Sequence, residues 1–385
     1  MTSSRPQPST GSDGPVSRPQ ISFDSQSNGL PGTRRLRLGV LTSRGRTLDA
    51  FFPELIREWQ KNGVDVFGAA GDPARLIESD SIAGLTQTPQ LGNLKTPSAL
   101  ADWIAKRSLD VVLTNTATAS ALVRVRNPAV PIIYFCHGLH WAHNREWSPL
   151  WKTAERLLLR HTTAAIVMNT EDEAWFGRRL GEDRVVRSPF GVGVPLERFQ
   201  RTPTPPISGT VRLAWIGDFS TRKQPNVAVE VARRLRDSAV DFQLTMAGDG
   251  PLMDPVRSLI TEHNLGNHVV LPGRADAGPL ISSSHLLLHT SKWEGLARVL
   301  LESAAIGRNA YGFDVKGVRD VPSVQVVPSG DVASLTHRMI DDIRAGLPAQ
   351  IYPDPSQMSP ERHSDLVLRF IRHQLDIEKK KNSEQ

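Results

Sequence analysis

A single cysteine, Cys136, occurs in the 385 residues of the chain. One thiol excludes an internal disulfide and any metal site built from several cysteines, and a reducing cytosol is the expected setting. Cys136 itself reads as a small buried residue ending a strand. The chain also lacks an apolar run of about 18 residues, so no membrane-spanning helix is expected. Its first residues lack the charged-then-apolar order of a secretory signal. Zinc-finger spacing, an aromatic RNA-binding signature and a long basic run are all absent, which argues against nucleic acid as a partner. There is no phosphate-loop sequence, and both glycine clusters that approach the dinucleotide fingerprint fail it at the third glycine. Met253 stands in that place after Gly248 and Gly250, and Leu196 after Gly191 and Gly193, so a nicotinamide cofactor is not expected.

What is present is a globular composition, 39% hydrophobic and 22% charged, in a chain long enough for two domains plus tails. The net charge of +6 suits anionic partners such as nucleotides or phospholipid surfaces. Residues 1–33 are rich in Ser, Pro, Gly and Gln and read as a disordered tail, because they cannot bury enough surface to offset their ordering entropy. From residue 34 to 200, short apolar runs alternate with helical patterns. Strands are expected at 36–41, 64–67, 110–114, 131–136, 164–168 and 184–187, and helices at 48–61, 100–106 and 147–159. A Pro-rich linker follows at 201–209, and the alternation restarts over 210–357 with strands at 211–216, 242–246, 269–271 and 286–288. Residues 358–385 supply a final amphipathic helix, over 360–377, and a basic tail. The expected class is α/β, with two doubly wound parallel sheets facing each other across a cleft.

The most informative stretch is Ser291-Lys-Trp-Glu294-Gly295-Leu296-Ala-Arg-Val-Leu-Leu-Glu302. At about 100° per residue, the carboxylates of its two glutamates are expected roughly 80° apart and about 12 Å apart along a helix axis. Free N–H groups and a positive dipole end at the helix start suit a diphosphate. A nucleotide diphosphate sugar has the matching layout, anionic in the middle with a hydroxyl-rich ring at each end. The same pattern also fits a surface helix with two solvated glutamates.

Other candidates lie at expected strand ends, where open parallel sheets bind ligands. His137-Gly138 follows the strand ending at Cys136. Gly217-Asp-Phe-Ser-Thr-Arg222-Lys223 follows the strand at 211–216 and offers a guanidinium fork and an ammonium point charge to phosphate. Gly248-Asp-Gly250 follows another strand, and Asp314-Val-Lys-Gly317-Val-Arg-Asp320 is a glycine turn able to offer backbone N–H groups. Trp147-Ser-Pro-Leu-Trp151-Lys152 continues to Arg156 and Arg160 as a Trp/Leu stripe interleaved with basic residues. Such a helix lies on an anionic membrane surface or packs its stripe into the first domain.

These residues together resemble the family-4 glycosyltransferases of the GT-B fold, especially the branch that assembles bacterial exopolysaccharide, capsule and O-antigen. The resemblance runs from about Arg37 to Ile343. His137 to Trp141 is similar to that branch's HGxHF-type segment, Asn169-Thr-Glu-Asp172 to its N-x-E-D segment, and Gly193 to Phe199 to its segment before the linker. Gly217 to Lys223 is similar to G-R-x-x-x-x-K, Gly248 to Gly250 to the donor-domain G-x-G, Glu294 to Glu302 to the E-x7-E pair, and Asp314 to Asp320 to D-x-x-G-x-R-E. The resemblance implies two Rossmann-like domains and retaining hexosyl transfer from a nucleotide diphosphate sugar, with UDP as the expected nucleotide. It implies neither a metal nor a cofactor beyond that donor. Lys223 would neutralise the departing diphosphate, Glu294 would hold donor hexose hydroxyls and Glu302 the ribose hydroxyls. His137 would reach the donor sugar from the opposite domain. Gly217, Arg222, Gly248, Gly250, Gly295, Leu296 and Gly317 would complete the donor site. The implied acceptor is a saccharide on a lipid such as polyprenyl diphosphate, at the cytoplasmic membrane face. Two departures stand out: Asp218 replaces the usual arginine, and the segment after Gly317 lacks the usual glycine insert. They keep open a noncatalytic partner subunit with the same shell; a nucleotide-sugar epimerase of the same fold is the other alternative.

Overall fold

The structure, a computed structural model, describes residues 34–88, 95–126, 128–139, 148–348 and 350–383. The expected tail over 1–33, together with His140, Trp141 and Trp147, lies outside the described residues. Seven strands form the first sheet: β1 (Leu36–Leu41), β2 (Val64–Ala70), β3 (Ser79–Ser81), β4 (Val111–Thr114), β5 (Ile132–Cys136), β6 (Ala164–Val167) and β7 (Val185–Arg187). All pairs are parallel, in the order β3-β2-β1-β4-β5-β6-β7. The second sheet holds β8 (Val211–Ile216), β9 (Phe242–Ala247), β10 (Val269–Gly273), β11 (Leu286–His289), β12 (Asn309–Phe313) and β13 (Val324–Val327). It too is parallel, in the order β10-β9-β8-β11-β12-β13. Helices cover both faces of such sheets, so inner strands read as continuous apolar runs. Every residue of β4, β5, β6 and β11 is buried.

The strand order reverses between β1 and β4 and again between β8 and β11. At such a switch point the connections leave in opposite directions and open a crevice beyond the strand ends.

Three expectations need correction. The helix expected over 48–61 is two helices, Gly45–Phe51 and Pro53–Lys61. Pro53 has no N–H to donate and its ring restricts Phe52, so the first helix stops there. Glu294 and Glu302 do not share a helix, because the helix begins at Arg298, with Ala297 as its N-cap. Gly295, Leu296 and Ala297 are a loop, and the helical spacing between the two carboxylates does not apply. Last, the closing helix spans Pro360–Ser383 and returns to the first domain. There Trp59 Nε1 donates to the Ser364 carbonyl at 3.1 Å, and Gln374 Nε2 to that of Asp183 at 2.8 Å.

Helix Ser148–Leu158 is held from one side. Buried Glu155 pairs with fully buried Arg124 at 2.6 Å, whose guanidinium lies 4.8 Å from the Tyr134 ring centre. Much of its apolar surface stays outside the core: Leu150 is 56% exposed, Trp151 46% and Leu157 57%. Leu150, Trp151 and Leu157 are therefore not packed into the first domain, whereas Leu158 is half-buried and Leu159 joins its core.

Candidate active site in the interdomain cleft

A cavity of about 1110 Å³ opens beyond the strand ends of both sheets. Asp49, Phe51, Arg57 and His137 line it from the first domain, and Arg222, Lys223, Glu294, Arg298 and Glu302 from the second. Of the residues expected from sequence, His137, Arg222, Lys223, Glu294, Gly295, Leu296 and Glu302 meet there. Gly217, Gly248, Gly250 and Gly317 are not among its lining residues.

The centre of the site is a charge cluster. Arg222 and Lys223 follow β8, Glu294 follows β11, and the adjacency of those strands brings them together. Lys223 Nζ stands 2.6 Å from Glu294 Oε1, and Arg222 Nη1 stands 2.5 Å from Oε2. Ser291 Oγ donates to Oε1 at 2.7 Å. The two loops are tied through backbone as well: the Lys292 N–H donates to the Arg222 carbonyl at 2.9 Å, and Thr290 Oγ1 to that of Lys223 at 2.8 Å. Burial works to raise the Glu294 pKa, but the His289 imidazole and the Lys223 and Arg222 charges outweigh it and hold the carboxyl well below the usual carboxylate range. Burial in turn lowers the His289 pKa against the pull of Glu294. The imidazole is therefore neutral near pH 7, and the two cations carry the compensation. One carboxylate facing two cations leaves the cluster with an excess positive charge.

Glu302 lies half-buried in the first helical turns after Arg298. Burial raises its pKa, opposed by the charges of Arg298 and Arg198. No hydrogen bond joins it to another described side chain, so its oxygens are open to a hydroxyl-bearing ligand. Across the cleft, the His137 ring meets Phe51 edge-on at 4.5 Å and Phe135 at 4.9 Å between ring centres. Those contacts fix the direction in which the ring faces the cavity.

The expected glycines serve mainly as spacers. A Cβ on Gly217 would stand 3.3 Å from the Lys223 side chain, so its absence leaves room for that stem. Gly248 has φ +146°, and a Cβ there would lie 1.9 Å from the Gly217 carbonyl oxygen. Gly250 is packed against Phe219 in the same way. Both glycines therefore shape the turn that carries Arg222 and Lys223. Gly317 does not offer its N–H to the cavity: that group donates to Asp320 Oδ2 at 3.2 Å. Asp218 is exposed and does not line the cavity, whereas Arg222 does.

Sequence reasoning missed His289, Ser291 and Arg298 as site residues. His289 carried the same signal as His137, a histidine at a strand's carboxyl end. Arg298 carried no comparable signal, since its part in the cleft follows from its Nη1 reaching the Ala50 carbonyl of the other domain at 2.7 Å. Among the described residues no group of three or more His, Cys, Asp or Glu side chains converges as metal ligands would.

Family models match both halves of the chain. The one described as "Glycosyl transferase 4-like domain" covers residues 47–193, and "Glycosyl transferases group 1" covers residues 199–340. The chain belongs to the family-4 glycosyltransferases. Among relatives of this glycosyltransferase, alpha-D-kanosaminyltransferase of Streptomyces kanamyceticus is 26% identical over 220 residues, 51% of this chain and 56% of the relative. The UDP-Gal:alpha-D-GlcNAc-diphosphoundecaprenol alpha-1,3-galactosyltransferase of Escherichia coli is 25% identical over 243 residues, 58% and 63% respectively. The matches thus span less than two thirds of the length of either relative. Two solved structures show the same GT-B fold. The apo lipopolysaccharide outer core galactosyltransferase WaaB superposes with a TM-score of 0.70 at 14% identity, covering 88% of this chain and 99% of WaaB. HepE of Anabaena in complex with UDP superposes with 0.65 at 14%, covering 90% and 100%.

Proposed function

We propose that this glycosyltransferase moves a sugar from a UDP-sugar to a lipid-linked saccharide, with retention at the anomeric carbon and without a bound metal. The observation that carries the reading is the Arg222–Glu294–Lys223 cluster in the cleft. A diphosphate entering the cleft takes over the two cations that Glu294 now holds, and the released carboxylate is left to accept hydrogen bonds from hexose hydroxyls. As the glycosidic bond lengthens, negative charge grows on the departing phosphate, and Lys223 and Arg222 stabilise it in a water-poor setting. Those cations supply the charge that a metal would otherwise bring. Glu302, open to hydroxyl donors, takes the ribose, and His137 faces the sugar from the acceptor domain. No residue is assigned as a covalent nucleophile.

HepE, which shares the fold, is described in complex with UDP and with UDP-glucose, and the Escherichia coli relative is named for a diphosphoundecaprenol acceptor. Arg222 supports the reading further, since it brings to the cavity the cation that Asp218 does not. An acceptor held at a membrane suits the outer face of helix Ser148–Leu158, and no described helix is long and apolar enough to cross a membrane itself. The test is ligand-observed NMR against UDP-, GDP- and ADP-sugars. Saturation transfer to a UDP-sugar, lost in Lys223→Ala, is the expected result. Transfer to no donor at all would reject the reading in favour of a noncatalytic partner subunit.

A further inference from the structure

A second charged network, separate from the donor cluster, joins the two domains. Asp172 lies in the first turn of helix Thr170–Leu180, where the Asn169 side chain caps the helix by accepting from the Asp172 N–H. Lys316 lies in the loop between β12 and β13. Both are buried, at 2% and 8% exposure, and Lys316 Nζ stands 2.5 Å from Asp172 Oδ1. Nζ also donates to the Leu139 carbonyl at 3.0 Å. The other carboxylate oxygen of Asp172 accepts from the Leu139 N–H at 3.1 Å and from Asn169 Nδ2 at 2.8 Å.

Each partner borders a wall of the cavity. Leu139 lies two residues after His137, in the stretch that follows β5 in the first domain. On the other side, the Lys316 carbonyl accepts the Glu294 N–H at 3.0 Å, and Asn169 Nδ2 reaches the Gly295 carbonyl at 2.9 Å. The ion pair therefore sits where the His137 loop meets the Glu294 loop, with hydrogen bonds to both. An outer ring of contacts repeats the link in more exposed form. The Thr170 N–H donates to Asp320 Oδ1 at 2.8 Å, and Arg319 bridges Glu171 and Asp314 at 2.7 and 2.6 Å.

Stability alone is a weak explanation for the inner pair. Desolvating two ions offsets most of their attraction, and apolar residues of equal volume often serve as well. What the pair adds is direction, because each N–H donates along one line and the Asp172 oxygens accept from fixed sides. We infer that Asp172 and Lys316 are positioning residues that hold the His137 loop against the Glu294 loop and so set the width of the cleft. The inference rests on the reading of the cleft as a nucleotide-sugar site. Arg222, Lys223, Glu294 and Glu302 all belong to the second domain, so nucleotide binding does not itself require the pair, whereas presentation of His137 does.

The test uses the full chain with spin labels at Lys106→Cys and Glu262→Cys, exposed sites on the two domains, the buried Cys136 being left in place. Lys316→Met removes the ammonium, and Asp172→Asn provides the same test should the first variant fail to fold. Interdomain distances are read by pulsed electron paramagnetic resonance, and UDP binding by calorimetry. The expected result is a broadened distance distribution in either variant, with UDP affinity within about threefold of the parent. Lys316→Arg, which keeps the charge, should narrow the distribution again. A distribution unchanged in both Lys316→Met and Asp172→Asn overturns the inference. Failure of the parent to bind UDP overturns the donor reading instead, and the distances still decide the pair.

Discussion

Gly295 approaches His137 so closely that a Cβ at position 295 would stand 1.5 Å from the His137 carbonyl oxygen. The contact is backbone against backbone across the cleft, and neither partner has a flexible end that can swing aside. Gly295→Ala should therefore push the Glu294 loop away from the His137 loop, or unfold one of them. A loss of about 3 kcal/mol is expected, at the upper end of ordinary single substitutions. Chemical denaturation measures it, and a loss under about 0.5 kcal/mol, the range of neutral surface changes, would show that the two loops part easily.

Lys223 and Arg222 share one carboxylate but differ in setting. The Lys223 side chain is 13% exposed and that of Arg222 30%. Water screens the outer charge more, so the inner one should matter more to a developing phosphate charge. Lys223→Ala is expected to lower turnover by about 10²- to 10³-fold, the usual cost of removing one preorganised electrostatic donor. Arg222→Ala should cost less. Steady-state kinetics with the donor found by NMR compares the two, and a larger loss in Arg222→Ala would reverse the assignment.

His363, on the closing helix, shapes the acid limit of stability. It is buried beside Ser188, whose Oγ stands 2.9 Å from Nδ1, with the Gln357 carbonyl 3.1 Å from Nε2. Burial lowers its pKa to about 4, against a favourable pull from the Gln357 carbonyl. The unfolded chain, with an ordinary histidine pKa, binds the extra proton first as pH falls. Stability is then full above about 6.5 and declines down to about 4, by about 3 kcal/mol for this group. His363→Gln should flatten that part of the profile. Urea denaturation at intervals from pH 7 to 4 reads it, and an equally steep profile in the variant would place the acid limit elsewhere.

The outer face of helix Ser148–Leu158 carries Leu150, Trp151 and Leu157, with Lys152, Arg156 and Arg160 also exposed. Sedimentation with anionic phospholipid vesicles should show binding that weakens as salt shortens the screening length from about 10 Å at 0.1 M to about 3 Å at 1 M. Trp151→Ser should weaken it at every salt concentration, through lost apolar contact. Absence of binding at low salt would remove this helix as a membrane contact.

Much of the architecture was legible in the chain. β8 occupies the expected residues, Val211–Ile216, because an inner strand covered on both faces is mostly apolar, interrupted here by half-buried Arg212 near its start. Helix Thr170–Leu180 was not read as a helix, since it is charged at both ends and buries only Asp172, Phe176 and Leu180. Its one local signal was Asn169, three residues before Asp172, in a cap pattern.

For the site, residue type and place at a strand end pointed to His137, Arg222 and Lys223, and the eight-residue spacing with the family resemblance pointed to Glu294 and Glu302. Local pattern reports burial and period, and those depend on neighbours a few residues away. That Glu294 faces Lys223 and Arg222 depends on β8 and β11 lying side by side, a crossover that local pattern does not encode. Asp172 meeting Lys316 depends on how two finished domains dock. Hence sequence determined the charged groups at the centre of the cleft, and only tertiary structure decided which of them neutralise one another, which other residues line it and which hold the two walls together.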